Sequence, residues 1–98
     1  MDTTSIGHDV PVGLPLVMQP AAGGSSTVQV RARTVGEAVD ALIAQYPGLG
    51  SLLLTPEHDV RRFVNIYVDA EDVRFLKGLD TIIAAGQRIT LLSAVAGG

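Results

Sequence analysis

The stretch Phe63-Val64-Asn65-Ile66-Tyr67-Val68 has the clearest β-strand pattern in the sequence. It is rich in β-branched and aromatic residues, and successive side chains of a strand point to opposite faces. One face carries the aliphatic residues Val64, Ile66 and Val68, and the other carries Phe63, Asn65 and Tyr67. The pattern predicts a strand whose aliphatic face lies on a hydrophobic core.

A helix is predicted upstream of this strand. Thr34 and Glu37 have the spacing of a capping box, which satisfies two backbone amides at a helix N-terminus. Apolar residues then recur at helical spacing and form one stripe, at Val35, Ala38, Val39, Leu42, Ile43 and Tyr46. Pro47-Gly48 is expected to end the helix, and Leu52 to Leu54 to form a short helical turn in the following loop.

The N-terminal part of the sequence predicts a β-hairpin. Val10 to Met18 alternates between apolar and other residues, and Thr27 to Ala32 alternates again after a turn-forming segment. Pro11 and Pro15 each lack an amide donor, so we expect the first strand to be irregular or to face a sheet edge.

The C-terminal half predicts two further strands. Asp69 to Asp72 is expected to turn the chain, Val73 to Phe75 to form a short partner strand, and Arg88 to Leu92 to form the last strand. One helix among these strands needs one sheet face to cover its apolar stripe. The order predicts an α+β fold of the β-grasp (ubiquitin-like) type over residues 10–93, with a flexible leader at 1–9 and a flexible tail at 94–98.

Composition excludes several functional classes. The 98 residues suffice for one domain, and the net charge of -3 with only four aromatic residues argues against nucleic-acid binding. Without cysteine there can be no disulfide, thiolate nucleophile or zinc–thiolate site. No apolar run approaches the roughly 20 residues that span a bilayer, so we expect a cytoplasmic protein without membrane contact.

Titratable side chains form no recognisable catalytic group. Glu57-His58-Asp59 lacks the spacing of a metal site and is expected to be a solvated loop. The acidic segment Asp69 to Asp72 lacks the flanking pattern of a calcium loop, which favours a hairpin turn. The six arginines indicate either a solvated face or a docking patch for an acidic partner.

The C-terminal segment Val95-Ala96-Gly97-Gly98 has a different character. By itself a terminal Gly-Gly is often a frayed end, but here it follows the last strand of a predicted β-grasp fold. Two residues without Cβ atoms can enter a narrow enzyme channel, and the ionised Gly98 carboxylate can attack the α-phosphate of a nucleotide. The resulting acyl adenylate is open to a sulfur or nitrogen nucleophile, so the protein is expected to be a substrate and not an enzyme.

The sequence resembles the ubiquitin-like sulfur-carrier family of ThiS, MoaD and CysO, and within it the CysO type. Three segments carry the resemblance: Arg62 to Val68, Glu71 to Phe75, and Ala94 to Gly98. It covers about Val10 to Gly98, and it departs from many relatives at Ser93, where they have proline.

The resemblance implies that Gly98 becomes a sulfur-carrying thiocarboxylate, with Gly97, Ala96 and Val95 as the tail. An E1-like adenylating enzyme would use ATP, and a sulfurtransferase or rhodanese-type donor would supply the sulfur. The acceptor would be a PLP-dependent cysteine synthase or a thiosugar- or thiazole-forming synthase. The carrier itself would bind no cofactor.

The activating enzyme is expected to dock on apolar side chains of the sheet face turned away from the helix, at Phe63, Tyr67 and Leu92. For Phe63, ordinary packing beneath a loop is the alternative. Two other functional classes remain open at this point. A ubiquitin-like modifier would transfer Gly98 to lysine amines, and a plain β-grasp interaction module would bind through its sheet.

Overall fold

The computed structural model describes residues 7–94, which form one five-stranded mixed sheet with a helix on one face. The strands are β1 His8–Gly13, β2 Thr27–Ala32, β3 Val64–Val68, β4 Glu71–Asp72 and β5 Ile89–Ser93. The helices are α1 Val35–Gln45 and the single turn α2 Gly50–Leu53. Short 3-10 helices lie at Leu16–Ala22, Pro47–Leu49, Val73–Phe75 and Gly78–Asp80.

The strand order across the sheet is β2-β1-β5-β3-β4. β1 and β5 are parallel, whereas the other three pairs of neighbours are antiparallel. This mixed sheet wrapped around α1 confirms the predicted α+β β-grasp fold.

The hydrophobic core lies between α1 and the sheet. Val12, Ile89 and Leu91 on the sheet and Ala38, Val39 and Leu42 on α1 surround the same small interior space. The aliphatic face of β3 is buried as predicted, and each of its three side chains is about 3% exposed. In the helix stripe, Ile43 and Tyr46 are only partly buried and pack at the margin of the core.

The N-terminus of α1 is capped by Thr34, as predicted. Its Oγ1 accepts a hydrogen bond from the Glu37 amide at 3.1 Å. The reciprocal bond differs from the expectation, because the Glu37 carboxylate accepts from the amide of Arg33 at 2.8 Å and also contacts the Arg33 guanidinium. The helix start is therefore fixed together with the end of β2.

The prediction for the first strand was partly wrong. β1 begins at His8, inside the expected leader, and ends at Gly13, after which the chain forms a 3-10 helix. β1 also lies inside the sheet and not at its edge. The Leu14 amide donates to the carbonyl oxygen of Ser26, directly before β2, so by alternation the backbone nitrogen of residue 11 points toward β5. Pro11 is tolerated there because the pairing of β5 with β1 starts only at Val12.

The predicted strand at 73–75 was also wrong. Besides β5, β3 pairs with the two-residue β4. Val73–Phe75 forms a 3-10 helix capped by Asp72, whose side chain accepts from the Arg74 amide at 2.9 Å. This cap ends the strand, because it turns the backbone away from the β3 ladder.

No helix within residues 7–94 is long and apolar enough to cross a bilayer.

Candidate functional site at the root of the C-terminal tail

The end of β5 sets where the C-terminal tail leaves the domain. Ser93 pairs with Val64 at the start of β3, and the next amide, of Ala94, donates to the carbonyl oxygen of Phe63 at 2.6 Å. The predicted tail residues Val95, Ala96, Gly97 and Gly98 lie outside the described part of the chain. Ala94 is thus the anchored root of the tail.

An apolar groove of about 500 Å³ borders this root. It is lined by Pro15, Leu16, Val17, Met18, Leu52, Phe63 and Ser93. Since β1 and β5 are parallel, the chain that leaves β1 enters its 3-10 helix beside the end of β5. That helix buries Met18 and leaves Leu16 81% and Val17 62% exposed. Adjacent exposed aliphatic side chains of this size mark a surface suited to a protein partner.

Of the three predicted docking residues, only Phe63 lines this groove. Phe63 also packs against the core, as the packing alternative predicted, and its role in docking stays a prediction. Leu92 is 44% exposed and faces Asn65 across the β3–β5 ladder. Tyr67 lies two residues further along the same face of β3 and is half-buried.

From the sequence alone, Leu16 and Val17 were not identified as exposed residues of a groove. Their alternation with Leu14 suggested a continuing strand, in which one of the two would be buried. The available signal was their position between Pro15 and Pro20, since two prolines five residues apart favour a compact turn over a paired strand.

Several arginines are engaged in local ion pairs. Arg33 binds Glu37 at 2.7 Å and Arg74 binds Asp72 at 2.8 Å. Hydrogen bonds from the Arg33 side chain, and then from its amide, hold the pKa of Glu37 below its ordinary value. The side chain and then the amide of Arg74 do the same to the pKa of Asp72.

The acidic and histidine-bearing segments form no metal cluster within residues 7–94. Glu57, His58 and Asp59 are exposed on the loop before β3. Asp69 has a structural role, because its carboxylate accepts from the Arg88 amide at 3.1 Å and from the Gln87 side chain at 3.2 Å. These bonds hold the turn after β3 against the start of β5.

Comparison with known proteins agrees with this architecture. The ThiS family model matches residues 16–98. The sulfur carrier protein CysO of Mycobacterium tuberculosis is 44% identical over 92 residues, which cover 92% of this chain and 99% of the relative.

Solved structures show the same similarity in three dimensions. The crystal structure of an Amycolatopsis orientalis BexX/CysO complex contains a chain with 37% identity and a TM-score of 0.82, at 91% coverage of this chain and 99% of that one. The small archaeal modifier protein 1 of Haloferax volcanii is 28% identical with a TM-score of 0.80, at 91% and 100% coverage. The chain therefore belongs to the ThiS family and is a sulfur carrier protein, not an enzyme.

Proposed function

We propose that Gly98 carries the sulfur as a C-terminal thiocarboxylate, with Val95, Ala96 and Gly97 as the tail that delivers it. The observation that carries this proposal is the anchored root at Ala94 beside an exposed apolar groove, in a chain whose family match extends through residue 98. A partner bound at the groove lies beside Ala94, the root of the tail.

The chemistry needs only the terminal carboxylate of this chain. A Gly98 carboxylate oxygen attacks the α-phosphate of ATP, which the activating enzyme binds, and pyrophosphate leaves. A sulfur nucleophile then attacks the acyl carbon of the adenylate and expels AMP. With sulfide as the nucleophile, the new C–S bond replaces the C–O bond to AMP, and the product is the thiocarboxylate. With a persulfide donor the first product is an acyl disulfide, and a thiol must cleave its S–S bond, which releases the thiocarboxylate and leaves the donor as a mixed disulfide. The two glycines suit this work, because a chain without Cβ atoms fits a narrow channel.

The activating partner in this proposal is an E1-like adenylating enzyme that docks on the apolar groove through Leu16, Val17 and Phe63, with Leu92 and Tyr67 on the adjoining sheet face. Burying Leu16 and Val17 would contribute roughly 1.5–3 kcal/mol for each side chain. Because this enzyme consumes ATP, we place the carrier in the cytoplasm.

The sulfur-accepting partner is a biosynthetic enzyme, either a PLP-dependent cysteine synthase or a thiosugar- or thiazole-forming synthase. The similarity to a CysO chain solved in complex with BexX supports a stable complex between carrier and enzyme. The thiocarboxylate sulfur attacks an electrophilic carbon of the substrate bound by the acceptor enzyme and displaces that substrate's leaving group, which forms a thioester. Hydrolysis of the acyl–sulfur bond leaves the sulfur on the product and returns the Gly98 carboxylate to the cycle.

A ubiquitin-like modifier is the second candidate function. Similarity to the Haloferax volcanii small archaeal modifier protein 1 favours it, because the same Gly98 adenylate could be transferred to a lysine amine. The two functions differ in their products. Heavier conjugates that resist thiols and hydroxylamine indicate an isopeptide, whereas a sulfur carrier gives none.

Selective alkylation tests the thiocarboxylate directly. The chain has no cysteine, so a thiol-selective alkylating reagent has no thiol to modify in the unloaded protein. After incubation with the activating enzyme, ATP and a sulfide source, the carrier should take up one alkyl group at the C-terminal peptide. Equal labelling with and without ATP would contradict the proposal.

A further inference from the structure

A second groove lies on the helix side of β3 and differs in character from the apolar groove. It has a volume of about 440 Å³. Its floor is apolar and is formed by Val60, Val64, Ile66, Val73 and Leu79. Three arginines line it as well, Arg61, Arg62 and Arg74. We call this surface the basic groove.

The basic groove concentrates positive charge in an acidic protein. The whole chain has seven basic and ten acidic side chains, yet three of the seven line this one groove. None of the described residues that line it is an aspartate or glutamate. Asp72 offsets the charge of Arg74 through their ion pair, which leaves the positive charges of Arg61 and Arg62 in the groove. The groove is complementary to a negatively charged occupant.

Two of the three guanidinium groups are already held in place. The Arg61 Nε donates to the carbonyl oxygen of Ser51 at 2.6 Å, and Arg74 contacts both carboxylate oxygens of Asp72. Arg62 is exposed and forms no hydrogen bond or ion pair of its side chain within residues 7–94. Because Asp72 already occupies the Arg74 guanidinium, Arg61 and Arg62 are the arginines left to bind a carboxylate, which a guanidinium matches through two parallel bonds.

We propose that the basic groove binds an acidic segment of an enzyme that takes up the C-terminal tail, with carboxylates on Arg61 and Arg62 and one apolar side chain on the floor. The identity of this partner rests on the proposed function. Its place in the structure supports the assignment, because Arg61 and Arg62 directly precede Phe63, whose carbonyl oxygen holds Ala94. A partner bound here lies beside the root of the tail.

A short acidic peptide tests this inference on the protein alone. Isotope-labelled protein is titrated with the blocked peptide Glu-Glu-Leu-Glu-Glu while backbone amide shifts are recorded by NMR. We expect saturable shifts confined to residues 60–66 and 73–79. Arg62→Glu should weaken the peptide about tenfold, and Arg62→Lys, which keeps the charge, should weaken it less. The matched control Arg88→Glu makes the same charge change outside the groove and should leave the affinity unchanged.

Three results would overturn the inference. These are no saturable shift, an equal loss of affinity in Arg88→Glu, or the same shifts with inorganic phosphate at equal ionic strength. Thermal unfolding of each variant verifies that it is folded. Deleting Gly97 and Gly98 should not alter peptide affinity, although it removes the proposed sulfur-carrying residue. A failure of the basic groove is therefore distinguishable from a failure of the thiocarboxylate proposal.

Discussion

The amide of Ala94 donates a hydrogen bond to the carbonyl oxygen of Phe63, and this bond ties the end of β5 to one of the residues that line the apolar groove. Four residues follow Ala94 in the sequence. At most about 3.3–3.6 Å of chain is gained per extended residue, so the Gly98 carboxyl group can reach about 13 Å beyond Ala94. An enzyme that docks on the groove must hold its reactive phosphate within that distance.

Exchanging Leu16 for aspartate should impair activation without unfolding the protein. Leu16 is 81% exposed, so Leu16→Asp removes little from the core but places a charge in the proposed interface. We expect the kcat/KM of the activating enzyme for the carrier to fall about tenfold or more, measured by ATP–pyrophosphate exchange. Thermal unfolding should change little.

Ile82→Asp is the matched control for this experiment. Ile82 is 69% exposed but lies in the crossover before β5, outside the residues that line the apolar groove. Its exchange should leave activation unchanged. Equal losses in both variants would show that added negative charge, and not the groove, is responsible.

Leu91 and Leu92 test which face of β5 is the core face. Leu91 is 1% exposed and Leu92 is 44% exposed, although they are adjacent residues of the same type. Leu91→Ala should lower the free energy of unfolding by about 2–5 kcal/mol, because it leaves a cavity beneath α1. Leu92→Ala should cost about 1 kcal/mol or less. Denaturant unfolding measures both, and a reversed order would mean that the β3–β5 register is inverted.

The pKa of Glu37 makes stability depend on pH in a definite direction. Hydrogen bonds from Arg33 favour its charged form in the folded protein and lower its pKa. The associated stability is present above the ordinary glutamate pKa and is lost as the pH falls through the lower pKa of the folded state. Urea unfolding across this acidic range should show a flatter pH dependence for Glu37→Gln than for the wild type. Parallel curves would exclude a contribution from this pair.

Most of the fold follows from local patterns in the sequence. Two patterns are reliable because several residues indicate the same element in each. One is the alternation in Phe63 to Val68, and the other is the cap at Thr34 with the apolar stripe that follows it. The fold class needed only these elements in their order, since one helix can bury its stripe on only one sheet face.

The prediction for the chain after Gly13 failed because two short-range patterns compete there, the alternation of apolar residues and the turn preference of proline. Leu14 and Leu16 alternate like a strand, yet Pro15 leads into a 3-10 helix in which the Gln19 side chain donates to the Leu14 carbonyl oxygen at 3.1 Å. That bond depends on a turn that alternation does not reveal. Without that turn the sequence did not indicate that Leu16 and Val17 are both exposed, so the apolar groove could be found only from the structure.

The basic groove also could not be predicted from the sequence. Arg74 is distant in sequence from the adjacent Arg61 and Arg62, and it meets them only because Val73–Phe75 folds back over β3. The sequence showed six arginines and left open whether they form a patch. The structure places Arg33 and Arg74 in local ion pairs and brings three arginines to one groove.

Intact-mass analysis of tail variants tests the central claim most directly. Wild type, a Gly98 deletion and a variant with one alanine after Gly98 are incubated with the activating enzyme, ATP and a sulfide source. The variants displace the carboxylate by one residue, about 3.3 Å of extended chain, while attack requires the reacting atoms within about 3.5 Å. Wild type should gain the mass of one oxygen-to-sulfur exchange, and both variants should remain unchanged yet folded. Conversion of the extended variant at the wild-type rate, with no protease present to trim it, would contradict the assignment of Gly98 as the sulfur-carrying residue.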